Sequence, residues 1–367
     1  PKLGGQMQYG IPSYRLPRDV VDKEAGYLTA FGVTVETGCR VEHPVELLKC
    51  YDAVVMAVGT HQGVRLPMEG SELPQVLLNT DFLRNAAMGL DTGIGKRVVV
   101  LGGGNVAFDC ARTARRLGAQ EVHVACLEQR EAMLADEEEI CQAGEEGIFV
   151  HPGQTFEAIC GSDAVTGVRV CNVKNFYFDE NRRAVIEKEE HSEHEIAADT
   201  VIFAVGQRTD LAADSGLERG RGNCIAAQDG DFRTSVAGIF ACGDAIYGTK
   251  TVIQAVESGR QAASVVDRWL GGDGDISEVL VPPETPEANI GRVEDFASLS
   301  RAEEAFVAAE GRADSFTPIS HGLCDSAVCG EAGRCLQCDL RFQITPARLW
   351  SDYDGHAAQA PFKEVSR

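Results

Sequence analysis

The chain has 367 residues, of which 44% are hydrophobic and 25% charged, and its formal net charge is -22 at pH 7. This length predicts two or three domains rather than one small core. The negative charge argues against nucleic acid and anionic membrane surfaces as partners, because both are negatively charged themselves. Its apolar runs are too short to span a bilayer and no secretion signal is visible, so a cytoplasmic protein is expected.

The first part of the chain mixes loops with a few regular elements. Residues 1–20 are rich in glycine and proline, which is typical of loops, and a helix is predicted to start near Asp19. The apolar run at residues 52–58 is followed by Gly59 and Thr60, which predicts a buried strand that ends in a glycine turn. The chain begins at Pro1 with no room for a strand before these loops, so we expect a longer protein.

A glycine motif follows at residues 98–107. An apolar run at Val98–Leu101 stops at three glycines, and a helical pattern begins at Asn105. Gly102, Gly104 and Ala107 fill the small-residue positions of a G-x-G-x-x-A motif, which permits a tight turn, a close approach to a pyrophosphate and close helix packing. The N–H groups of the helix start would face the phosphates. The motif predicts a dinucleotide site, with a purely structural turn as the alternative.

The next segments continue an alternating pattern. Residues 96–206 follow a strand–helix–strand–helix order, and the second helix, Asp136 to Gly147, carries the run Glu137–Glu139, interpreted as its solvated face. Residues 154–189 predict a β-meander. Residues 200–206 repeat the pattern of the earlier strand, an apolar run followed by Ala-Val-Gly. This internal repeat predicts two nested nucleotide-binding halves.

A second candidate site lies near residue 243. An apolar strand leads to Gly243 and Asp244, shortly before an amphipathic helix from Thr251 to Leu270. The aspartate could accept hydrogen bonds from a sugar-alcohol chain, and the positive end of the helix could stabilise a reduced flavin. A capped helix with a solvated aspartate is the alternative.

Together these motifs resemble a known family. The loop at residues 4–17, the two Ala-Val-Gly turns and the stretch from Thr234 to Ala255 are similar to the flavoprotein subunit of glutamate synthase and related pyridine-nucleotide–flavin reductases. The resemblance covers about residues 3–270 and implies an α/β fold of two nested doubly wound, Rossmann-like domains. The implied arrangement is an FAD-binding domain in two parts (1–91 and 207–275), an NAD(P)H-binding domain (92–206) and an irregular cysteine-containing C-terminal extension (276–367).

The resemblance also implies which residues contact the cofactors. The positions expected at the flavin are Gly10, Ile11, Gly59, Thr60, Gly243, Asp244, Thr251 and Val252, and Gly206 is a further expected cofactor-binding position. Those expected to cradle the NAD pyrophosphate are Gly102, Gly104, Asn105 and Ala107. The N-terminal FAD pyrophosphate motif of the family is absent from this chain, so half of the FAD site is expected to be missing from it.

Cofactor choice depends on Glu128, which ends the apolar run after the glycine motif. NADPH-using members of the family carry an arginine pair where this chain has Leu127 and Glu128. A carboxylate repels the 2′-phosphate of NADPH and accepts hydrogen bonds from the free 2′-hydroxyl of NADH. Arg130 could still reach a phosphate. We predict NADH as the cofactor, with NADPH as the alternative.

Four cysteines cluster near the C-terminus, with the spacing C-x4-C-x5-C-x2-C: Cys324, Cys329, Cys335 and Cys338. Four thiolates can hold a [4Fe–4S] cluster, which this spacing favours because structural zinc sites more often pair two C-x2-C knuckles. Zinc and a redox-active Cys335/Cys338 pair are the alternatives.

The predicted function is an NADH-dependent flavoprotein oxidoreductase subunit that passes electrons through FAD to iron–sulfur centres and a partner redox protein. Hydride transfer needs positioning rather than a catalytic acid or base, so no catalytic side chain is predicted. The expected partners are the nicotinamide dinucleotide and other redox subunits or ferredoxin, in a hetero-oligomeric complex. A non-catalytic structural subunit and a glutamate synthase small subunit are the alternatives.

Overall fold

The computed structural model describes residues 2–180, 184–228, 230–277, 294–295 and 298–334. The chain divides into two compact units, residues 1–277 with 307–319, and residues 278–306 with 320–367. Their helices and strands, in chain order, are α1 (Gln6–Tyr9), α2 (Arg18–Ala30), β1 (Val54–Met56), β2 (Gln62–Gly63), β3 (Val76–Leu78), α3 (Asn79–Ala87), β4 (Arg97–Leu101), α4 (Asn105–Arg116), β5 (Glu121–Ala125), α5 (Glu137–Glu145), β6 (Phe149–His151), β7 (Gln154–Cys160), β8 (Gly167–Phe178), β9 (Ala184–Lys188), β10 (His194–Ala197), β11 (Thr200–Phe203), β12 (Gln207–Arg208), β13 (Ile239–Ala241), α6 (Asp244–Tyr247), α7 (Val252–Trp269) and α8 (Asp325–Gly333).

A five-stranded parallel sheet forms the centre of the larger unit, in the order β3-β11-β4-β5-β6. Strand β4 lies in the middle, with β11 on one side and β5 on the other. The connection through α4 leads to one side of β4, and the chain returns on the other side as β11. Parallel sheets bind ligands at such a switch point, beyond the carboxyl end of the strand.

Both faces of this sheet are covered, which explains the continuous apolar run in β4. Val98 and Val100 pack against apolar residues of α3, α4 and α5. Val99 and Leu101 pack on the opposite face, against residues that include Val168 of β8. These four apolar side chains of β4 are fully buried, as expected for a parallel strand that is sandwiched on both sides.

The segment predicted as a β-meander forms antiparallel strands that pair in sequence order, which confirms the prediction. Strand β8 pairs with both β7 and β10, and β9 pairs with the far end of β8. The pairs β7–β8 and β8–β9 join sequence neighbours, as in a meander. Strand β10, which lies beyond the predicted segment, adds a third partner to the long β8. This sheet supplies Val168, Val170 and Ile196 to the second core of the parallel sheet.

The two Ala-Val-Gly repeats belong to different sheets but meet at their turns. Strand β1 pairs in parallel with β13, and β11 lies in the five-stranded sheet. The strands that follow the two turns, β2 and β12, pair with each other in an antiparallel ladder. The repeat therefore brings the carboxyl ends of two separate parallel sheets to one place.

The helices agree with the pattern in the sequence, with one correction. The helix predicted near Asp19 is α2, and the predicted Thr251–Leu270 helix is α7. The Glu137–Glu139 run was interpreted as a solvated face, and this is wrong for Glu139, which is only 7% exposed. Glu139 is buried because Arg15 and Arg112 neutralise it. None of the described helices has the length and apolar character needed to cross a membrane.

The smaller unit has few regular elements among its described residues. Phe306 and Ser320 form an antiparallel bridge, and the backbone N–H of His321 donates to the Ala305 carbonyl at 2.8 Å. Helix α8 begins at Asp325, directly after Cys324, and Glu331 in this helix accepts a hydrogen bond from the Ala302 backbone.

Candidate functional site

The glycine loop connects β4 to α4 at the switch point of the sheet. Gly102 has a φ of +140°, a conformation that side chains disfavour, and a Cβ atom there would collide with the carbonyl of Ala204. The loop can therefore pass the carboxyl end of β11 only because residue 102 is glycine. Ala107 is fully buried in the core shared with β4, which fits its predicted packing role.

Gly104 precedes α4 and faces open space. A Cβ atom built on this residue would meet no atom within 4 Å. The Ala107 N–H donates to the Gly104 carbonyl at 2.9 Å, but no side chain caps the helix, so its N-terminus stays open to an external acceptor. Open space in front of an uncapped helix start is the arrangement that a pyrophosphate requires.

Glu128 lies beside the same loop. Its Oε2 atom is 3.0 Å from the position that a Cβ atom on Gly103 would take. The Glu128 carbonyl accepts the N–H of Gly153 at 2.8 Å, which fixes the backbone just beyond β5. The carboxylate is thus positioned next to the loop by the end of the strand.

Asn105 is engaged with the segment that precedes α5. Its Nδ2 atom donates to Oδ2 of Asp136 at 3.0 Å, and its Oδ1 atom accepts the Asp136 N–H at 2.9 Å. The N–H of Ala135 donates to the carbonyl of Gly103 at 3.1 Å. Asn105 therefore braces the glycine loop and places a second carboxylate, that of Asp136, near it.

Arg130 forms an ion pair at the start of α5. Its Nη2 atom lies 2.6 Å from Oε1 of Glu137. Its charge is therefore compensated by the protein, which leaves it less suited to bind a 2′-phosphate.

The turns after β1 and β11 are joined by a cluster of polar side chains. The buried Thr60 hydroxyl lies 3.0 Å from Oγ1 of Thr249 and 3.3 Å from Oε1 of Gln207. The Gln6 side chain donates to the Thr60 carbonyl at 2.9 Å, which ties α1 to this cluster. The neighbouring Gly59 and Gly206 both have positive φ.

Gly10 and Ile11 lie in the loop after α1. The Ile11 N–H donates to the Gln6 carbonyl at 2.8 Å, and Arg18 Nη2 donates to the Ile11 carbonyl at 2.6 Å. The loop lines a cavity of about 300 Å³ together with Thr113 and residues of α3. Through Gln6, the structure brings this loop to the Thr60 cluster, as the prediction requires.

Gly243 and Asp244 follow β13 beside the start of α7. The Gly243 N–H donates to Oγ of Ser258 in α7 at 2.8 Å, and Oδ1 of Asp244 accepts the Lys250 N–H at 3.1 Å. Burial raises the pKa of Asp244 above its usual value. Thr251 and Gln254 form a capping box at the start of α7, where Val252 is partly exposed. Since the Cys242 N–H donates to the carbonyl of Met56 in β1 at 3.2 Å, this turn lies next to the end of β1.

The cysteine cluster is only partly visible. Cys324 and Cys329 are exposed, at the start of α8 and within it. Cys335 and Cys338 lie outside the described residues. Within the described ranges, no group of three or more His, Cys, Asp or Glu side chains is arranged to hold a metal ion.

Sequence reasoning missed several residues of these sites. Two of them, Gln207 and Thr249, lie within hydrogen-bond distance of the Thr60 hydroxyl. The other two are Ser258, which accepts the Gly243 N–H, and Asp136, which accepts from the Asn105 side chain. Gln207 directly follows Gly206, and Thr249 lies two residues before Thr251. Their positions beside predicted residues were the only signal available, because polar side chains next to a turn are common.

The comparison with known proteins decides the family. The sequence profile of the pyridine nucleotide-disulphide oxidoreductase family matches residues 18–261, a range that includes the glycine loop and both Ala-Val-Gly turns. The chain belongs to this family. Membership confirms the predicted resemblance to pyridine-nucleotide reductases, and it agrees with the α/β fold built on the parallel sheet.

Individual relatives refine this assignment. The β subunit of an NADP(+)-dependent formate dehydrogenase from Moorella thermoacetica is 33% identical over 359 residues, which cover 92% of this chain and 50% of that protein. The NADPH glutamate synthase small chain of Escherichia coli (strain K12) is 34% identical over 292 residues, which cover 74% of this chain and 62% of that protein. These matches confirm the resemblance to the glutamate synthase small chain, while the chain spans about half the length of the first relative.

A solved structure supports the fold. Mycobacterium tuberculosis FprA in complex with NADPH superposes with a TM-score of 0.61 over 73% of this chain and 75% of FprA, at 16% sequence identity. At this identity the likeness concerns the fold alone.

Proposed function

We propose that the chain passes electrons from NADH, through FAD, to iron–sulfur centres and a partner redox protein. The observation that carries this proposal is the presence of two sites in one compact unit. One is the open glycine loop flanked by Glu128, and the other is the Thr60 cluster with the turn at Gly243. A protein that only bound a dinucleotide would need the first site alone.

The residues at the glycine loop fit a nicotinamide dinucleotide. The space before Gly104 and the uncapped start of α4 suit the pyrophosphate. Glu128 would accept hydrogen bonds from the hydroxyls of a ribose and would repel a 2′-phosphate. Asp136 adds negative charge at the loop, and Arg130 is already paired with Glu137. These charges favour NADH, although both named relatives carry NADP(+) or NADPH in their names.

The second site fits part of an FAD molecule. Gly59, Gly206 and Gly243 have positive φ and expose backbone at adjacent turns, and Asp244 offers a carboxylate for a sugar-alcohol hydroxyl. The start of α7 presents its positive end there. When bound, FAD accepts a hydride and releases electrons singly to one-electron carriers. The protein residues would bind and orient it, and no general base is required.

Relatives that are subunits of larger enzymes support a hetero-oligomeric complex. The Moorella relative is the β subunit of a formate dehydrogenase and the Escherichia relative is one chain of glutamate synthase. We propose that this chain likewise delivers electrons to another subunit or to a ferredoxin in the cytoplasm. Free thiols at all eleven described cysteines are compatible with a reducing compartment.

The proposal is tested on the complex purified under anaerobic conditions from its native host. The flavin absorbance is expected to bleach on addition of NADH and to recover when a one-electron acceptor is added. A non-catalytic structural subunit is the alternative. That alternative predicts a complex in which this chain carries no flavin and NADH causes no bleaching.

A substitution at Gly104 tests the dinucleotide loop directly. We expect Gly104→Ala to raise the dissociation constant for NADH by roughly tenfold, equivalent to ~1.4 kcal/mol. The variant should fold without strain, because φ of Gly104 is -94° and no atom lies within 4 Å of the added methyl group. That methyl group would, however, occupy the space that the pyrophosphate needs. Calorimetric titration measures the binding, and the thermal midpoint is expected to stay unchanged. Gly144→Ala, in helix α5 and equally unobstructed, is the matched control; equal affinities for the two variants would contradict the assignment.

The C-terminal cysteines are proposed to hold a [4Fe–4S] cluster. We expect the anaerobically purified protein to contain about four iron and four sulfide ions per chain at this site. Cys324→Ser should lower both contents, as measured by elemental and acid-labile sulfide analysis. Cys50→Ser, at an exposed cysteine outside the cluster, should not. One zinc ion per chain without iron would show that the site is structural.

A further inference from the structure

A group of six charged side chains, five of them buried and Arg15 26% exposed, lies where residues 12–18 pack against α4 and α5. Arg15 begins this network: its Nη1 atom lies 2.9 Å from Oδ1 of Asp109 in α4, and its Nε atom lies 2.8 Å from Oε1 of Glu139 in α5. One guanidinium group therefore binds two different helices. The Asp109 and Glu139 side chains are almost completely buried, so these contacts are shielded from water.

The network continues along α4 to the end of α5. Arg112 lies 2.6 Å from Oε2 of Glu139 and 2.7 Å from Oε1 of Glu146, and Arg116 lies 2.6 Å from Oε2 of Glu146. The buried ring of Tyr14, next to Arg15, covers the guanidinium groups of Arg116 and Arg112 at 3.9 and 4.8 Å. The segment 12–18 thus contacts the network through two consecutive side chains.

The charges show that this segment completes the network. Helices α4 and α5 contribute two arginines (Arg112 and Arg116) and three carboxylates (Asp109, Glu139 and Glu146). Arg15 supplies the third positive charge and makes the buried group neutral. Without Arg15, the helices would keep one uncompensated buried carboxylate, which is strongly unfavourable. The two helices therefore have a charge pattern that specifically accepts an arginine from this segment.

The segments on both sides of the Arg15 contact, helix α4 and the turn at residues 12–16, are held by hydrogen bonds. Asp109 lies one helical turn after Asn105, so α4 fixes its position relative to the glycine loop. On the other side, the N–H groups of Arg15 and Leu16 donate to the Pro12 carbonyl at 3.0 and 3.1 Å, which folds the segment into a compact turn next to Gly10 and Ile11. The contact therefore connects the loop after α1 to the dinucleotide loop through two short, ordered paths.

We propose that Arg15 is a positioning residue: its bonds to Asp109 and Glu139 hold the Gly10–Ile11 loop at a fixed distance from the Gly102–Gly104 loop. The inference rests on the proposed function, which places the flavin at the first loop and the nicotinamide dinucleotide at the second. Hydride transfer requires the donor carbon of the nicotinamide to contact the acceptor nitrogen of the flavin. A displacement of about 1 Å between the two lowers the rate of transfer by roughly 100-fold. Arg15 would act through this geometry and would touch neither cofactor.

The first test needs no cofactor. In the protein without FAD or NADH, Arg15→Met is expected to raise amide hydrogen exchange at residues 9–17 by at least tenfold, while β4 stays protected. Arg40→Met removes an arginine from an exposed ion pair with Asp210 and is the matched control, with no expected change at residues 9–17. Unchanged exchange in Arg15→Met would overturn the proposed connection.

The second test measures hydride transfer in a single turnover of the flavin-loaded complex. Arg15→Met is expected to slow flavin bleaching by NADH by roughly 10- to 100-fold at saturation, with an unchanged dissociation constant for NADH. The double variant Arg15→Met/Asp109→Asn removes one charge of each sign, so its urea unfolding midpoint should return towards the wild-type value while bleaching stays slow. If bleaching recovers together with stability, the role is only structural and the proposal fails. If wild-type protein is not bleached by NADH, the proposed function fails instead, and the exchange experiment alone decides whether Arg15 connects the loops.

Discussion

The Glu128→Arg variant is expected to exchange a preference for NADH for a preference for NADPH. In the wild type, the Glu128 carboxylate lies beside the glycine loop and would repel a 2′-phosphate, whereas the substituted guanidinium group would attract it. A charge reversal near the surface changes the interaction with a nearby phosphate by a few kcal/mol, so we expect the ratio of the two kcat/KM values to change by about 100-fold or more. Steady-state kinetics with both dinucleotides and one artificial acceptor measure this ratio.

The matched control for this prediction is Glu24→Arg. Glu24 is exposed in α2, and its replacement changes the net charge by the same amount. The control should leave the cofactor ratio unchanged. Wild-type protein that uses NADPH as well as NADH would show that the Glu128 carboxylate does not select the cofactor, and Arg130 would then be the residue to examine.

The second large effect is expected on stability. Glu146→Gln should lower the free energy of unfolding by about 3–5 kcal/mol, because it leaves two buried arginines without their shared carboxylate. Both Arg112 and Arg116 form two or more hydrogen bonds with Glu146, and all three side chains are completely buried. Glutamine keeps the shape of the side chain, so the change measures the loss of charge rather than a packing defect.

Urea unfolding followed by circular dichroism gives the comparison. Glu138→Gln in the same helix α5 is the control, since this side chain is exposed and its loss should cost no more than ~0.5 kcal/mol. If the two variants unfold at the same urea concentration, the buried network contributes little to stability.

Some elements of the fold could be predicted from local sequence patterns, whereas others depend on contacts between distant parts of the chain. The glycine loop, β4, α4 and α7 follow from local patterns, because a buried parallel strand is continuously apolar and a glycine motif reports its own turn. The strand pairing of the antiparallel sheet was harder to predict, because the sequence shows alternating strands but not that β8 pairs with β7, β9 and β10 together. Strand order depends on long-range contacts that local patterns do not record.

The candidate sites show the same division. That Glu128 follows the next strand could be read from the sequence, because one strand–helix–strand unit sets its distance from the motif, and its contact with a ribose stays a prediction. Glu139 was assigned to a solvated face because a glutamate is rarely buried without a partner, and its partners Arg15 and Arg112 are distant in the sequence. The Thr60–Gln207–Thr249 cluster was missed for the same reason, since its members come together only when the two sheets meet.

The pairing of β1 with β13 has a consequence for synthesis of the chain. Val54 lies opposite Ile239, so β1 finds its partner strand only after nearly all of the larger unit has left the ribosome. During that time the residues around β1, including Tyr51 and Val58, add to an apolar surface that is exposed even in the folded chain. Parallel strands whose partners are far apart in the sequence pair slowly, and they expose aggregation-prone surface until they have paired. Production of this protein should therefore benefit from slow translation or from chaperones that bind nascent chains.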